Sequence, residues 1–320
     1  MKLLVDGCNL AFRADKTKHL TTKQGERVGA IYGTLQMLQS YIKPTQPKFK
    51  NKIYEALKEI GIEETFSRVI VAWDYGASNF RKAIYPDYKG QRKKKRDNYS
   101  EEQKQEYKDL MRQMDELHEF LPSLGVHSIR KKGWEADDLL YVASRIDDDD
   151  ICVIVSTDRD LLQAVDERTF IWSPTKEELI TPYNFLEKVG VPKTFYMDYR
   201  VLVGDPSDNI DGIPGIGDKT AKSLVAKYGG IPNMLRNREA LMKSARTRKI
   251  FENLHIIDRN KDIMCLSLIP ISEVEPFIKE ELAKTIKIND ERVKEFFIRK
   301  QFASMLRDYI GWTQPFRTLS

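Results

Sequence analysis

Seven carboxylates are the first candidates for chemistry in this chain. Three short apolar runs, 2–6 (KLLVD), 69–74 (VIVAWD) and 151–158 (ICVIVSTD), carry acids at their ends: Asp6, Asp74 and Asp158. Asp160 follows two residues later in STDRD, and Glu135, Asp137 and Asp138 crowd into GWEADDLL. Taken singly, each has an ordinary explanation, since Asp starts turns and acids are favoured in a first helical turn. Gathered together they repel one another and demand neutralisation. Oxygen ligands without His or Cys select hard cations such as Mg²⁺ or Mn²⁺ over zinc. Two such ions about 4 Å apart activate a water and stabilise the leaving oxygen of a phosphodiester.

The positioning elements follow from pattern. The three Val- and Ile-rich runs are too short for helices and predict buried strands, with weaker strands at 170–173 and 126–129. Helical spacing covers 29–42, 53–60, 107–121 and 136–145. Strands separated by helices predict an α/β fold with a mainly parallel sheet covered on both faces, and the acid-tipped strand ends would then meet at the edge where such sheets bind ligands. Glu135 and Asp138, three apart, would share a helix face. The run 147–150, four aspartates, reads as a solvated loop.

The rest of the chain narrows the classes. No run approaches the ~18–20 apolar residues of a membrane span, and Asp6 interrupts the only apolar stretch at the start, so no secretory leader is expected. The three cysteines (8, 152 and 265) and four histidines show no ligand spacing, which argues against zinc or a disulfide scaffold and for a cytoplasmic home. Lys and Arg number 53 against 48 acids. Residues 81–96 hold eight of the cations, Arg81, Lys82, Lys89, Arg92, Lys93, Lys94, Lys95 and Arg96, with one acid, Asp87. This is a solvated loop or a strip that tracks phosphates, with Tyr85 and Tyr88 placed to stack on bases. GIPGIGDKTA (212–221) has glycines at 212, 215 and 217. Its GxxGxG spacing, without a strong strand before it, is not the dinucleotide fingerprint. It reads as a helix–hairpin–helix turn, whose N–H groups at the next helix start bind an anion, with Lys219 and Lys222 adding charge.

Six ordered blocks, VDGCNLAFR (5–13), VAWDYG (71–76), FRKAIYPDYKGQR (80–92), EADDLL (135–140), STDRDLL (156–162) and GDPSDNIDGIPGIGDKTA (204–221), resemble the flap endonuclease and 5′-3′ exonuclease family. The likeness is greatest to the stand-alone bacteriophage enzymes and to the 5′-nuclease domain of bacterial DNA polymerase I. The resemblance implies a PIN-like nuclease domain over 1–200, including a helical arch at about 80–120. It implies a helix–hairpin–helix region with C-terminal helices over 201–320. Its metal groups fall on Asp6, Asp74, Glu135, Asp137, Asp138, Asp158 and Asp160, and on Asp205 and Asp208 of GDPSDN, with Glu135 and Asp205 in outer roles. Lys89 and Arg92 match the arch-base pair that contacts the scissile phosphate. Arg13 and Arg81 become further phosphate contacts, and 93–96 attracts the strand.

The implied activity is a structure-specific 5′ nuclease using two Mg²⁺ ions, with Mn²⁺ able to substitute and K⁺ at the hairpin. Its substrates would be branched or 5′-flap DNA, or RNA primers in RNA–DNA hybrids, in replication and repair. DNA polymerase and single-strand-binding protein are the implied partners. A monomer in the cytoplasm, the host's if the protein is viral, is expected. The rivals are a PIN-type single-strand ribonuclease and a non-catalytic DNA-junction binding protein. Setting nine acids aside leaves 39 against 53 basic residues, a cationic body around an acidic site.

Overall fold

The structure, a computed structural model, describes residues 1–17, 19–146 and 150–319, apart from the side chain of Lys93. The run 147–150 therefore lies outside the described residues except for Asp150, which is exposed and 3.6 Å from the Lys2 ammonium. The strands in chain order are β1 (Lys2–Asp6), β2 (Arg68–Ala72), β3 (His127–Ile129), β4 (Cys152–Val155), β5 (Thr169–Ser173), β6 (Glu178–Ile180), β7 (Gly204–Asp205) and β8 (Ile210–Asp211). The helices begin with α1 (Gly7–Thr17), α2 (Gly29–Ile42), α3 (Lys52–Glu59), α4 (Asn79–Ile84), α5 (Gly90–Asp97), α6 (Glu101–Phe120), α7 (Ala136–Ala143), α8 (Phe185–Val189) and α9 (Tyr196–Val203). They continue with α10 (Asp218–Tyr228), α11 (Ile231–Arg236), α12 (Arg238–Met242), α13 (Ala245–Glu252), α14 (Leu254–Met264), α15 (Ile271–Ala283), α16 (Asp290–Arg299), α17 (Ala303–Arg307) and α18 (Tyr309–Thr313). No helix among the described residues is long and apolar enough to cross a membrane.

Two compact units divide the chain discontinuously. The first holds 1–76, 100–179 and 272–320, and the second holds 77–99 and 180–271. This differs from the single break near residue 200 expected from the sequence. The chain leaves the first unit at residue 77, returns, and comes back to it again at 272.

In the first unit the strand order is β3-β2-β1-β4-β5-β6, and every pairing from β3 to β5 is parallel. The strands are apolar on both faces, as expected of a sheet covered on both sides. Leu3 and Val5, Val69 and Val71, Val153 and Val155, and Phe170 and Trp172 join one core cluster with residues of α1, α2 and α6. Successive side chains alternate across a sheet, so Leu4, Ile70, Ile154 and Ile171, all buried, face the other way. The return segment completes the first cluster: Val293, Phe296, Phe297, Phe302, Met305, Trp312 and Phe316 are buried in it. Those side chains lie on three short helices and a turn, so their apolar spacing has no long period to detect. An ion-paired knot pins the same segment. Lys300, only 4% exposed at its side chain, is 2.6 Å from Glu26 and also pairs with Glu116, while Arg112 bridges both acids.

α6 spans two environments. Ser100 caps it through a reciprocal box with Gln103, residues 101–106 are exposed, and Leu110, Met114, Leu117 and Phe120 are core. Within the segment of about 80–120 expected as an arch, one face of the last turns of α6 is apolar and buried. Gln113 from this helix accepts from the N–H groups of Ala30 and Ile31, capping α2, whose own N-cap Val28 has no side-chain acceptor.

The second unit is helical. Fully buried Asn260 on α14 donates to the carbonyls of Val201 (3.0 Å) and Asp211 (2.8 Å), fastening α14 to α9 and β8. Its small core contains Tyr88, Ile210, Ile263 and Met264.

Candidate metal centre and nucleic-acid interface

In the first unit, register brings the acids to one edge. β1 lies between β2 and β4, with Asp6 opposite Ala72 and Val5 opposite Val155. The chain runs outward from β1 on both sides, so the gap between β1 and β4 is where the strand order reverses, the usual ligand crevice of open parallel sheets. Asp6 closes β1, Asp74 comes two residues beyond β2, and Asp158 three beyond β4. The connection after β3 delivers α7 to the same edge, with Glu135 at its N-cap.

Asp6 is 8% exposed and carries the clearest electrostatic signature of the site. Burial pushes its carboxyl up to about 7, and the charges of Asp74 and Asp158 push the same way, against hydrogen bonds from Asn9 and Ser156. The Asn9 N–H donates to Asp6 Oδ1 at 2.9 Å and the Ser156 hydroxyl to Oδ2 at 3.2 Å. The Ser156 oxygen also accepts from the Asp158 N–H at 3.0 Å, and Asn9 Nδ2 donates to Thr157 at 2.6 Å, tying the ends of β1 and β4 together. Asp158 Oδ1 accepts from the Asp160 N–H at 2.8 Å. Asp74 Oδ1 accepts from the Ala136 N–H at 2.8 Å, joining the β2 end to the start of α7.

Glu135, Asp137 and Asp138 each offer a carboxylate oxygen within 4.8 Å of the others. Glu135 and Asp138 also form a capping box: the Glu135 N–H donates to Asp138 Oδ2 at 3.2 Å, and the Glu135 side chain accepts from the third helical N–H. Glu135 therefore sits before the helix rather than on its face as expected, and both acids are buried. Capping explains two acids, but not a third beside them. A carboxyl raised by burial and by the carboxylates beside it, among oxygen donors only, belongs to a donor set that fits a hard divalent cation.

The second unit holds the remaining acids on different partners. Asp208, 8% exposed, accepts from the Tyr88 hydroxyl at 3.2 Å, is hydrogen-bonded by Arg92, and lies 3.6 Å from the Lys89 ammonium. The Lys89 N–H donates to the Asp208 carbonyl (2.8 Å), Asn209 Nδ2 to the Asp87 carbonyl (2.9 Å) and Gln91 to Asn209 Oδ1 (2.8 Å). Lys89 and Asn209 both take left-handed backbone at these facing turns. Asp205 accepts from Arg200 at 2.9 Å and from Ser207, which together hold its carboxyl below the usual range despite burial.

The glycine turn joins α9 to α10. Gly215 has φ +81°, a conformation rarely open to other residues. At Gly212 a β-carbon would lie 2.2 Å from the Val203 carbonyl oxygen. The hairpin closes through Ile216 N–H to Ile213 O at 2.9 Å, and Gly217 caps α10 with open space around it. Lys219 is exposed, whereas Lys222 is 3.2 Å from Asp218.

Residues 1–190 match the 5′-3′ exonuclease N-terminal resolvase-like domain, and residues 191–272 match the 5′-3′ exonuclease C-terminal SAM fold. The chain belongs to the 5′-3′ exonuclease family. As a member it is a nuclease, a hydrolase acting on phosphodiester bonds. It is 33% identical over 243 residues to a 5′-3′ exonuclease of Aquifex aeolicus, covering 75% of this chain and 74% of that one. It is also 33% identical over 310 residues to the thermostable DNA polymerase I of Thermus thermophilus, covering 96% of this chain. The chain spans about a third of the length of the polymerases it matches, 33% for the Thermus enzyme. Its fold is that of the bacteriophage T5 D15 protein co-crystallised with metal ions, with a TM-score of 0.70 at 21% identity over 88% of this chain and 99% of that one.

Within this nuclease, Asp6, Asp74, Glu135, Asp137, Asp138, Asp158 and Asp160 lie along one sheet edge of the first unit. Asp205 and Asp208 belong to the second unit, where each is hydrogen-bonded to an arginine. Two expected surface contacts are corrected. Arg81 is 2% exposed and donates to the Ile263 carbonyl at 2.8 Å, so it fastens α4 to α14 rather than meeting a phosphate. Tyr88 is 3% exposed and its hydroxyl is bound to Asp208, so its ring has no face open for a base. Both sit in a segment too polar by sequence to suggest a core, and packing against α14, joined at Tyr88 by Ile210 and Asp208, buries them. Arg13 fares otherwise: it is half-buried, and its buried Nη1 has no hydrogen-bond partner among the described residues. Lys94, Lys95 and Arg96 are exposed on α5. Asn9 and Ser156, which orient Asp6, do not stand out in the sequence, although each lies in a motif block close to an acid.

Proposed function

We propose that the protein is a structure-specific 5′ nuclease that cleaves branched or 5′-flap DNA, and RNA primers paired to DNA, during replication and repair. The observation that carries the proposal is the Asp6 carboxyl, raised to about 7 by burial and by Asp74 and Asp158 at adjoining strand ends. A charge deficit of that kind is met by cations, and Mg²⁺ is the ion an all-oxygen set prefers.

Asp6, Asp74, Asp137, Asp138, Asp158 and Asp160 would hold two Mg²⁺ ions, with Mn²⁺ as a substitute and Glu135 acting from farther out. When bound, such ions supply a deprotonated water as nucleophile and neutralise the leaving oxygen. The protein's own groups do the rest. Asn9 and Ser156 fix both oxygens of Asp6, so the carboxylate is oriented before substrate arrives. Half-buried Arg13 on α1 is a further candidate for a phosphate contact. Lys89 and Arg92 of the second unit, both bound to Asp208, offer positive charge to the phosphates of the substrate strand. The hairpin at Gly215 and Gly217 binds the duplex backbone without reading sequence, with K⁺ as a further ligand there. DNA polymerase and single-strand-binding protein are the partners this role entails, and a cytoplasmic monomer is its natural form.

The test is a 5′-labelled flap duplex incubated with Mg²⁺ or with EDTA. Metal-dependent release of 5′ products is expected. Cleavage of free RNA but not of the flap would replace the proposal with a single-strand ribonuclease. Tight binding without product at any metal would leave a junction-binding protein. Asp158→Asn should abolish cleavage while keeping DNA affinity; turnover at the wild-type rate would remove Asp158 from the site.

A further inference from the structure

Lys249 has no part in the metal centre or the arch, yet it stands beside the hairpin. A β-carbon built on Gly215 would find the Lys249 Nζ at 3.7 Å. Lys249 is half-buried on α13, a helix anchored by fully buried Ile250, so the ammonium rides on a fixed backbone. Arg246, one turn earlier and on an adjoining face, is exposed. Among the described residues no carboxylate forms an ion pair with either. Arg248 on the same helix is different: its guanidinium is bound to the Met242 carbonyl at 3.3–3.4 Å, on the far side from Arg246. Residues 236–249 hold six cations and one acid, Glu239.

A charged run of this kind on its own is a solvated helix face. What distinguishes Lys249 is its place. Glycine at 215 leaves room for an anion to reach the turn, and the nearest side-chain cation to that room comes from α13 rather than from α10, where Lys222 is paired to Asp218. We infer that Lys249, with Arg246, forms a phosphate seat continuous with the hairpin and takes a phosphodiester of the duplex strand held there. This rests on the nuclease acting on DNA with the hairpin on the duplex.

The test measures binding of a blunt DNA duplex to the full chain by fluorescence anisotropy in EDTA, across a salt series. Each neutralised phosphate contributes about 0.9 to the log–log salt slope. The double variant Lys249→Ala/Arg246→Ala empties that one seat, so it should lower the slope by about 0.9 and weaken binding roughly fivefold near physiological salt. Lys249→Arg should keep most of the affinity. Arg248→Ala removes the same charge from the same helix and should change affinity less than about twofold, with circular dichroism melts confirming that all variants fold. An unchanged slope in the double variant, or an equal loss in Arg248→Ala, overturns the inference. An equal loss on single-stranded DNA of the same length also overturns it, because the seat would not then belong to the duplex. Failure of the wild type to cleave flaps would sink the proposed function. Wild-type cleavage with an unchanged slope in the double variant would sink the phosphate seat alone.

Discussion

Asp6→Asn should stabilise the metal-free nuclease above neutral pH, the opposite of what removing a structural residue does. The Asp6 carboxyl is raised from 3.8 to about 7 by burial first, and then by Asp74 and Asp158. A shift of roughly three units corresponds to about 4 kcal/mol at most. The sign follows from which state binds the proton. Below pH 4 the carboxyl is protonated in both folded and unfolded chains and costs nothing extra. Between about 4 and 7 the unfolded chain ionises while the folded one resists, so stability is lost as pH rises, and above 7 the full penalty remains. Asparagine cannot ionise and keeps an oxygen for the Asn9 N–H, but its amide group needs a new partner beside Ser156. Asp74 and Asp158 are exposed, and solvent screens their share. A net gain of about 2 kcal/mol at pH 8 is therefore expected, or about 4–8 °C in melting temperature. The assay is thermal melting of both proteins in EDTA from pH 5 to 8. The gap should grow with pH and level off above 7. Added Mg²⁺ should then stabilise the wild type and do little for the variant. A variant that melts at or below the wild type in EDTA at pH 8 would refute the account of Asp6 as a carboxyl held at a cost until a cation arrives.

Three further outcomes are expected. Replacing Lys93, Lys94, Lys95 and Arg96 with serine should weaken DNA binding and flatten its salt dependence by about 0.9 slope units for each phosphate no longer neutralised; an unchanged slope in a filter-binding series would make α5 a solvated helix only. Phe297→Ala removes a fully buried ring from the core cluster and should cost about 3–5 kcal/mol in urea unfolding, whereas a cost below about 1 kcal/mol would mean the return segment is not part of the first unit. Tyr88→Phe should lose the hydroxyl bond to Asp208, about 1 kcal/mol, and leave affinity for single-stranded DNA within twofold; a larger drop by anisotropy would restore the base-stacking role.

Much of the site was legible because its signals are local. A strand buried on both faces must be a short apolar run, and an acid at its end interrupts that run visibly, so Asp6, Asp74 and Asp158 stand out, and β1 and α2 match their expected bounds. The crowding of Glu135, Asp137 and Asp138 is likewise readable within four residues, and the glycine turn within ten. Arg81 and Tyr88 were not legible. A guanidinium in a cationic stretch reads as surface, and only a distant carbonyl, that of Ile263 on α14, decides that it is buried.

The sequence by itself determined the family and which groups are candidates for the chemistry, since residue type and short spacing are properties of a few consecutive positions. Only the tertiary structure decided what those groups do with their charge. It set Asp6 between two other carboxylates and assigned Asp208 to Lys89, Arg92 and Tyr88. It also sent residues 290–316 back into the first unit's core. Each of these depends on packing between segments far apart in the chain, where the pKa of an acid and the burial of a ring are set by neighbours that no local window contains.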